Sequence, residues 1–322
     1  MLVHLGQHEW LIVDSCMVDG KQPALSLLKA YGIPLSKVKL VVATHWHTDH
    51  IRGLTEVVSS CQAAEVYSYS ALFSRELLAF ASGTIDAIAK SCVKELEGML
   101  YALDNRQLRY ATVGRQIWSR EDEACAAAVW SLAPTDSDVE AALDNVLRRL
   151  RRVGGGGLKP NEVSIPLVVT LGSSALLLGA DYEPEKKWRA SIDTPGRNPV
   201  RSEVYKVAHH GSKKANPEIV WEELLLASPL CVLTPFRNGR TRLPNSEMTN
   251  FLGQRAGRCF TTSHDERVVP EMGGALAKTI RETTTSFEYL QSAPGWIKAR
   301  QVDGTWQVSH SATGGLLQAT AE

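Results

Sequence analysis

Residues 38–50 of the chain are VKLVVATHWHTDH, an apolar run followed directly by a polar loop. The run from Val38 to Ala43 is short, continuous and rich in valine, which is typical of a buried strand. Imidazole and carboxylate groups are suitable ligands for zinc, manganese or iron. Four such groups follow the run within one short turn: His45, His47, Asp49 and His50. The sequence therefore predicts a strand that ends at a metal site.

The composition of the chain describes an ordinary globular protein. Its 322 residues suffice for one large domain or two small ones, and 44% of them are hydrophobic and 22% charged. The 35 basic residues are balanced by 35 acidic residues, so the formal net charge is zero. Overall charge therefore gives no support for nucleic-acid binding, and any basic surface has to be local.

Targeting signals and membrane segments are not apparent in the sequence. The amino terminus has no basic flank before an apolar stretch, and no run approaches the ~18 apolar residues of a membrane span. The six cysteines are scattered without a C-x-x-C pair, which favours reduced thiols over a disulfide framework or a zinc knuckle. We therefore expect a cytoplasmic enzyme without membrane contact.

Apolar spacing predicts alternating strands and helices, which is α/β organisation. Helices are expected at residues 23–30, 55–60, 135–153, 217–227 and 246–255. Strands are expected at residues 2–14 (as two short strands), 38–43, 64–69, 163–171, 174–179, 203–208, 230–234 and 259–262.

Two segments extend this pattern. Helical spacing predicts an insertion at about residues 70–104. Near the carboxyl terminus, residues 296–300 and 306–309 are expected to form a hairpin across Asp303-Gly304. The predicted organisation is one domain over residues 1–285 that includes the helical insertion, followed by a β-hairpin extension over residues 286–322 that packs on the same domain.

Two further stretches offer metal ligands at predicted strand ends. Asp181 follows the apolar run Leu176-Leu177-Leu178-Gly179-Ala180, and His209-His210-Gly211-Ser212 follows the strand at 203–208. A dinuclear site needs a bridging carboxylate and a histidine from elsewhere in the chain, and these residues supply both. Asp181 as a helix cap or turn residue, and the two histidines as hydrogen-bonded loop residues, are the alternative interpretations.

The order of these motifs resembles that of the metallo-β-lactamase fold hydrolases over about residues 1–265. The segments Leu177–Asp181, Val207–Lys213 and Asn161–Ser164 further resemble the hydrolase domain of the DNA-uptake protein ComEC. The segment Ile12–Ser15 matches an early strand end whose aspartate normally supports the metal loop and is not a ligand.

This resemblance implies a four-layer αββα sandwich with two divalent ions, zinc or manganese, at one edge. His45 and His47 would hold the first ion, whereas Asp49, His50 and His210 would hold the second. Asp181 would bridge the two ions. His209 would contact a phosphate oxygen or protonate the leaving group, and the choice of ligand between His209 and His210 stays open. Asp49, Asp181 and His209 are the residues expected to act in catalysis.

The chain departs from the family pattern at one ligand position. Many family members carry a further histidine on the first ion, but no histidine lies between His50 and His209. The resemblance therefore favours the ComEC-like branch over a lactamase or glyoxalase, and it leaves the first ion with few ligands. Asp136 or Asp138 would be a substitute, with a helix cap as the alternative role.

The function implied by the resemblance is hydrolysis of phosphodiesters, with DNA as the substrate. Ser212, Lys213, Lys214 and Arg237, with Arg240 and Arg242, are the candidate phosphate contacts, and ordinary surface charge is the alternative for them. Hydrolysis of a small phosphodiester or lactone is a second hypothesis. A third is a metal-bearing regulatory subunit beside an NTPase partner, and an effector role in bacterial anti-phage defence follows from the resemblance alone. The sequence does not determine the oligomeric state.

Overall fold

A computed structural model of the chain describes residues 1–18, 20–69, 87–122, 125–150, 159–195, 200–238, 241–263 and 295–317. The first five strands are β1 Leu2–His4, β2 Trp10–Val13, β3 Val38–Val42, β4 Glu65–Ser68 and β5 Leu108–Tyr110. They form one sheet in the order β1-β2-β3-β4-β5. β1 is antiparallel to β2, and every other neighbouring pair in this sheet is parallel.

The second sheet is larger. The remaining strands of the described chain are β6 Arg115–Arg120, β7 Ala127–Ser131, β8 Leu167–Leu171, β9 Ser174–Leu178, β10 Ser202–Lys206, β11 Leu225–Leu233, β12 Phe236–Asn238, β13 Thr241–Leu243, β14 Arg258–Thr261, β15 Ile297–Val302, β16 Thr305–His310 and β17 Gly315–Leu316. Eight of them pair in the order β17-β14-β11-β10-β9-β8-β7-β6, while β12–β13 and β15–β16 form separate hairpins. Strands β9, β10, β11 and β14 are parallel, so their carboxyl ends lie at one edge of the sheet.

Helices cover the outer faces of the two sheets. The α-helices of the described chain are α1 Pro23–Ala30, α2 Thr48–Ile51, α3 Leu54–Ser60, α4 Ala87–Ala102, α5 Asp136–Leu150, α6 Glu185–Asp193, α7 Glu218–Glu223 and α8 Ser246–Arg255. One buried apolar cluster combines side chains of both sheets with those of α1, α3 and α4. A second cluster joins the other face of the second sheet to α6, α7 and α8.

Side-chain alternation along the strands divides the two cores. Leu177 of β9 is buried in the second cluster, whereas its neighbour Leu178 is buried in the first. Val168 and Val169 of β8 separate in the same way, as expected when successive residues of a strand point to opposite faces. The layers therefore follow the order helix, sheet, sheet, helix, and the predicted α/β class and four-layer sandwich are confirmed.

Several predicted elements have the observed bounds, and others do not. The predicted helices at 23–30 and 246–255 coincide with α1 and α8. The predicted helix at 217–227 is wrong beyond Glu223, because Leu225 pairs with Ser202 of β10 and already belongs to β11. The predicted strand at 163–171 begins only at Leu167, because residues 160–163 form a 3-10 turn and Pro166 precedes the strand.

The predicted helical insertion lies partly within the described residues. Its second half is α4, which packs on α3: the backbone N–H of Thr55 donates to Glu95 Oε2 over 3.2 Å. Buried side chains of α4, including Leu96 and Met99, belong to the cluster beneath the first sheet. The predicted helix at residues 70–81 lies outside the described part of the chain, so the insertion as a whole remains a prediction.

The carboxyl-terminal hairpin β15–β16 forms across the predicted Asp303-Gly304 turn, where both residues have positive φ. Its apolar side chains pack against a small buried cluster of Val204, Leu230 and Phe260 on the second sheet. The boundary expected near residue 285 lies outside the described residues, so the domain division stays a prediction. The six cysteines form no disulfide in the structure, and none of the helices described is long and apolar enough to cross a bilayer.

Gly179 allows two strand ends to approach each other closely. A Cβ atom at this position would lie 2.7 Å from Ala208 Cβ and 2.9 Å from Ala208 Cα. Gly179 is two residues before Asp181, and Ala208 directly precedes His209. The absence of a side chain at residue 179 thus permits the Asp181 and His209 loops to lie side by side.

We expect Gly179→Ala to lower the free energy of unfolding by about 1–3 kcal/mol, because the added methyl group overpacks the contact with Ala208. It should also lower the amount of metal bound per chain, because the two loops are forced apart. Gly172→Ala is the matched control, since its Cβ would meet no atom within 4 Å and only its positive φ of 58° opposes the change. Urea denaturation and metal analysis of both variants provide the measurement, and a Gly179→Ala protein with wild-type stability would contradict this packing argument.

Candidate metal centre

Asp14 fixes both ends of the loop that follows β3. Its Oδ1 atom accepts a hydrogen bond of 2.7 Å from the backbone N–H of Thr44, and its Oδ2 atom accepts one of 2.8 Å from the Thr44 hydroxyl. The same Oδ2 atom accepts a hydrogen bond of 2.7 Å from His50 Nδ1. Asp14 thus holds the loop from behind, in the supporting position that the resemblance implied.

His45 is fully buried, and its tautomer follows from its neighbours. The Thr44 hydroxyl donates to Asp14, so it accepts a hydrogen bond from His45 Nδ1, which lies 3.0 Å away. Ser164 Oγ lies 3.3 Å from the same ring nitrogen. The Nε2 atom is therefore left with a lone pair, and it points toward His47 Nδ1 at 3.1 Å and Asp181 Oδ2 at 3.7 Å.

The chain brings a first group of potential ligands together at this point. His45, His47 and Asp181 each offer one ligand atom, and these atoms lie within 4.8 Å of one another. Asp181 is 3% exposed, and its backbone N–H donates to Ser164 Oγ over 3.2 Å. One serine thus contacts both His45 and Asp181, which are 136 positions apart in the sequence.

A second group consists of Asp49, His50 and His210, whose ligand atoms also lie within 4.8 Å of one another. His210 Nδ1 donates to the carbonyl oxygen of Thr234 over 2.9 Å, and its Nε2 atom lies 3.2 Å from Asp49 Oδ2. His50 Nε2 lies 3.7 Å from the same carboxylate oxygen. In both histidines, Nδ1 is therefore hydrogen-bonded to an oxygen outside the ligand group, and Nε2 points into the group.

Asp181 lies between the two groups. Its Oδ2 atom is 3.7 Å from His45 Nε2, and its Oδ1 atom is 3.4 Å from His50 Nε2. Each carboxylate oxygen thus faces one group, as a bridging ligand requires. Histidines that donate through Nδ1 to an outer oxygen and present Nε2 are typical metal ligands, so the donor set fits two divalent ions.

Unusual backbone conformations aim the two histidines after β10. His209, His210 and Gly211 have consecutive positive φ angles of 42°, 53° and 79°. Asn216 holds this turn, because its amide donates to the carbonyl oxygens of Ala208 and Ser212 over 2.9 and 2.7 Å. Sequence reasoning did not identify Asn216, and no motif marks it, because its role depends on a carbonyl geometry that only the folded turn creates.

Tyr205 anchors Asn216 in turn. Its hydroxyl donates to Asn216 Oδ1 over 2.7 Å and accepts a hydrogen bond of 3.2 Å from the backbone N–H of Ala208. The ring is fully buried in the second core cluster. The histidine turn is therefore tied to the core of the molecule through a buried tyrosine and a buried amide.

Burial and charge act in opposite directions on the carboxylates of the site. Burial favours the neutral form of Asp181, but the adjacent His50 stabilises the carboxylate and holds its pKa well below the usual range. For Asp49, partial burial again opposes ionisation, and the adjacent imidazoles of His210 and His50 hold the pKa low. Both aspartates are therefore carboxylates at neutral pH, as metal ligands have to be.

The histidines divide into two electrostatic classes. Burial, together with the neighbouring His50, lowers the pKa of His45 well below its usual value, and burial lowers that of His47. Burial also disfavours a charged His50, but Asp14 and Asp181 outweigh it and raise the pKa of that imidazole well above its usual value. His209 behaves like His50: burial disfavours its charged form, but Glu183 and Asp181 outweigh burial and raise the pKa of the imidazole.

The candidate phosphate contacts occupy different environments. Lys213 is exposed and forms an ion pair with Glu247, whereas Lys214 is exposed and Ser212 is partly buried beside the histidine turn. Arg237 lies in β12 directly opposite Arg242 of β13. Arg240, which was grouped with these contacts, lies outside the residues that the structure describes.

The two aspartates considered as substitutes for a missing ligand are not part of either ligand group. Asp136 is exposed at the start of α5. Asp138 Oδ2 accepts a hydrogen bond of 2.9 Å from the backbone N–H of Thr135, and the Thr135 hydroxyl accepts one of 3.3 Å from the backbone N–H of Asp138; this reciprocal pair is a capping box. Asp138 also forms an ion pair with Lys187, so its carboxylate serves the helix and not a metal.

One family model matches the amino-terminal part of the chain. Residues 1–89 match the family model of the Metallo-beta-lactamase superfamily, and this segment contains β1 to β4 and the His45–His50 loop. The superfamily generally comprises metal-dependent hydrolases. No curated protein matches the chain.

Several solved structures are similar to part of the chain. The metallo-beta-lactamase fold protein YhfI from Bacillus subtilis is 13% identical, with 63% of this chain and 60% of that chain aligned and a TM-score of 0.31. The hydrolase AbOPH of the beta-lactamase superfamily is 16% identical over 56% of this chain and 54% of that chain, with a TM-score of 0.35. Zn²⁺-bound PqqB from Methylobacterium extorquens is 12% identical over 63% and 57% of the two chains, with a TM-score of 0.31. Similarities at this level say nothing about the substrate of this chain.

The Asp14–His50 pair predicts a pH-dependent loss of stability in the metal-free protein. Because the folded-state pKa of His50 is raised, the stability that this charge contributes is fully present below about pH 6.5 and is lost as the pH rises through the folded-state value. Asp14→Asn, kept in chelator, should therefore cost about 2–3 kcal/mol near pH 6 and progressively less at higher pH. Urea denaturation across this pH range measures the effect.

Ser68→Ala is the control for this series. Its hydroxyl donates to the carbonyl oxygen of Ala43 over 3.0 Å, next to the same loop, and neither partner titrates. The loss of stability in Ser68→Ala should be independent of pH. An Asp14→Asn penalty as flat as that of Ser68→Ala would contradict a charged His50 in the metal-free site.

Proposed function

We propose that this chain is a dinuclear metal-dependent phosphodiesterase that acts on DNA. The observation that carries the proposal is the position of Asp181 between two ligand groups, with one carboxylate oxygen 3.7 Å from His45 Nε2 and the other 3.4 Å from His50 Nε2. A single carboxylate shared in this way suits two ions at the short spacing of about 3.5–4 Å found in hydrolytic dinuclear sites.

In this proposal, His45 and His47 bind the first ion, Asp49, His50 and His210 bind the second, and Asp181 bridges them. Two divalent ions, zinc or manganese, would supply an activated water at neutral pH and would neutralise charge on a phosphoryl oxygen. The chain's own residues keep this site in place: Asp14, Thr44, Ser164 and Thr234 hold the outer ring nitrogens. The second ion would be the more accessible of the two, since the side chain of its proposed ligand Asp49 is partly exposed.

The charges beside the second ligand group favour an anionic substrate over a neutral lactone. The hairpin β12–β13 begins at Phe236, whose ring centroid lies 5.0 Å from that of His210. The next residue, Arg237, is directly opposite Arg242 across the hairpin. Two guanidinium groups at one point of the hairpin raise the local positive charge, which attracts an anionic substrate more than a neutral one. A phosphodiester chain supplies such anions on both sides of the bond to be cleaved.

DNA is favoured over other phosphodiesters by the resemblance to the ComEC hydrolase domain. An effector role in anti-phage defence, a cytoplasmic location and an NTPase partner are proposed on the same resemblance. Small phosphodiesters, lactones and a purely regulatory metal site are the competing hypotheses, and each gives a different result with a panel of substrates.

The substrate panel tests the reaction directly. Protein stripped of metal and reloaded with Zn²⁺ or Mn²⁺ is incubated with plasmid, single-stranded DNA, RNA, a lactone and bis(p-nitrophenyl) phosphate. Cleavage of DNA together with the small diester is the expected result. Cleavage of the small diester or the lactone alone would replace the nuclease proposal with small-molecule hydrolysis, and two bound ions without any turnover would favour the regulatory subunit.

Asp181→Ala should remove the bridge and therefore both the metal pair and the activity. We expect fewer than two ions per chain and at least about 100-fold lower kcat/KM with every substrate that the wild type cleaves. Asp136→Ala is the matched control, because it removes an exposed aspartate at the start of α5. It should keep both ions and wild-type rates. Full metal content and full rate in Asp181→Ala would refute the dinuclear assignment.

Arg237→Gln/Arg242→Gln tests the proposed contact with the polymer backbone. If both arginines contact phosphates, the slope of log affinity for DNA against log salt concentration should become shallower by about two. Turnover of bis(p-nitrophenyl) phosphate, which has no neighbouring phosphates, should change far less than turnover of DNA. Arg148→Gln is the control, since Arg148 is exposed and pairs with Asp144 on α5. Equal salt slopes in the double variant and Arg148→Gln would contradict the contact.

A further inference from the structure

We infer that His209 is a ligand of the first metal ion and that Glu183 and Asn161 hold it in place for that role. The inference rests on the proposed dinuclear site and changes the role of His209 from proton transfer to metal binding. It concerns the part of the site that is least complete, since the first ligand group contains only His45, His47 and the shared Asp181. Zinc in catalytic sites binds three protein ligands and a water and is able to expand to five ligands, so His209 can be accommodated beside these three residues and the activated water.

The position of His209 relative to Asp181 matches that of His45, a proposed ligand of the first ion. His209 Nε2 lies 3.8 Å from Asp181 Oδ2, and His45 Nε2 lies 3.7 Å from the same oxygen. Two ligands of one zinc ion, each bound at about 2.0–2.2 Å, are separated by at most about 4.4 Å. Both imidazoles are therefore close enough to Asp181 Oδ2 to share an ion with that oxygen. His209 is not among the residues whose ligand atoms all lie within 4.8 Å of one another, so its ring has to shift toward His45 and His47 when an ion binds.

The two adjacent histidines of the turn point to different parts of the site. His210 Nε2 lies 3.2 Å from Asp49 Oδ2 in the second group, whereas His209 Nε2 faces the Asp181 oxygen of the first. Their ring centroids are 6.0 Å apart and their planes are inclined by 65°. The two consecutive left-handed residues produce this divergence, because each successive side chain is rotated around the tight turn. One histidine pair is thus able to serve both ions.

Glu183 fixes the tautomer of His209 that a metal ligand requires. Its Oε2 atom lies 3.1 Å from His209 Nδ1 and can only accept, so the ring donates through Nδ1 and keeps a lone pair on Nε2. A histidine that donates its outer N–H to a carboxylate is the common arrangement around protein-bound zinc. Asp181 and Glu183 are separated by Tyr182, whose side chain is fully buried in the second core cluster. The side chains of Asp181 and Glu183 therefore both reach His209, while that of Tyr182 points into the core.

Asn161 completes the support of the ring. Its Nδ2 atom lies 3.4 Å from His209 Nδ1, 3.5 Å from His209 Nε2 and 3.5 Å from Glu183 Oε1. Asn161 is 9% exposed and lies in the 3-10 turn before β8, so it is a rigid partner. The same turn leads directly to Ser164, which contacts His45 Nδ1. The segment from Asn161 to Ser164 thus contacts both of the histidines that face Asp181 Oδ2.

His209→Asn and Glu183→Gln separate metal binding from proton transfer. Asparagine tolerates the left-handed backbone of residue 209 but is too short to reach the ion, and glutamine keeps the size of Glu183 but removes its charge. The readout is stepwise Zn²⁺ affinity, measured by competition with a chromophoric chelator, and the number of ions per chain after dialysis. His310→Ala, which removes a histidine on β16, is the matched control, and thermal unfolding in chelator checks that all variants fold.

We expect the wild type and His310→Ala to bind two ions. In His209→Asn, one of the two should bind about 10–100-fold more weakly, and Glu183→Gln should weaken the same ion toward the lower end of that range. If His209→Asn binds both ions with wild-type affinity while turnover falls, His209 acts in proton transfer and the inference is overturned, with the proposed function intact. If the folded wild type itself binds fewer than two ions, the dinuclear site and this inference are both wrong.

Discussion

The buried carboxylate of Asp181 is the constraint on which the rest of the site depends. An ionised carboxylate loses its hydration on burial, and that loss is tolerated only if charged or hydrogen-bonding partners replace the water. Asp181 is 3% exposed, and its oxygens are surrounded by the imidazoles of His45 and His50 from one loop and of His209 from another. Its backbone N–H is also held, by Ser164. The histidines therefore have to converge on this position, where a charged His50 balances the carboxylate in the absence of an ion.

Backbone geometry makes that convergence possible. The parallel strands β9 and β10 end at one edge of the sheet, and Gly179 lets their continuations touch at Ala208. The turn that follows contains three consecutive residues with positive φ, a conformation that non-glycine residues adopt only where the surroundings enforce it. Asn216 supplies this enforcement through two carbonyl oxygens. The positive φ angles that Asn216 enforces in the turn also set the directions in which the side chains of His209 and His210 point.

A layer of outer partners orients the ring nitrogens. The Nδ1 atoms of His45, His50 and His210 lie against Thr44, Asp14 and Thr234, respectively. These partners come from three different loops, and all of them accept a hydrogen bond. Each imidazole therefore directs its Nε2 atom to the interior, and His50, which is charged in the metal-free site, has to release its Nε2 proton before it binds an ion. Because these hydrogen bonds already fix the rings, less conformational entropy is lost when a metal binds. This is the physical advantage of the hydrogen-bond partners at Nδ1.

The sequence by itself determined the α/β class, the strand-to-loop position of His45–His50 and the ends of strands at Asp181 and His209, because apolar periodicity and metal-ligand chemistry are local properties. It also determined the bounds of α1 and α8, where proline or a capping asparagine begins the helix. It did not determine the end of α7, because pairing of Leu225 with β10 outweighs local helix propensity there. It also missed α6, which is stabilised by packing on the second sheet, and the hairpin β12–β13. Only the tertiary structure decided that Asp181 divides its oxygens between two groups, that Asp138 serves as a cap, and that Glu183, Asn161 and Asn216 support the histidine turn. These are relations between residues far apart in the chain, and they exist only after the sheets have packed and the loops at their edge have been brought within a few ångströms of one another.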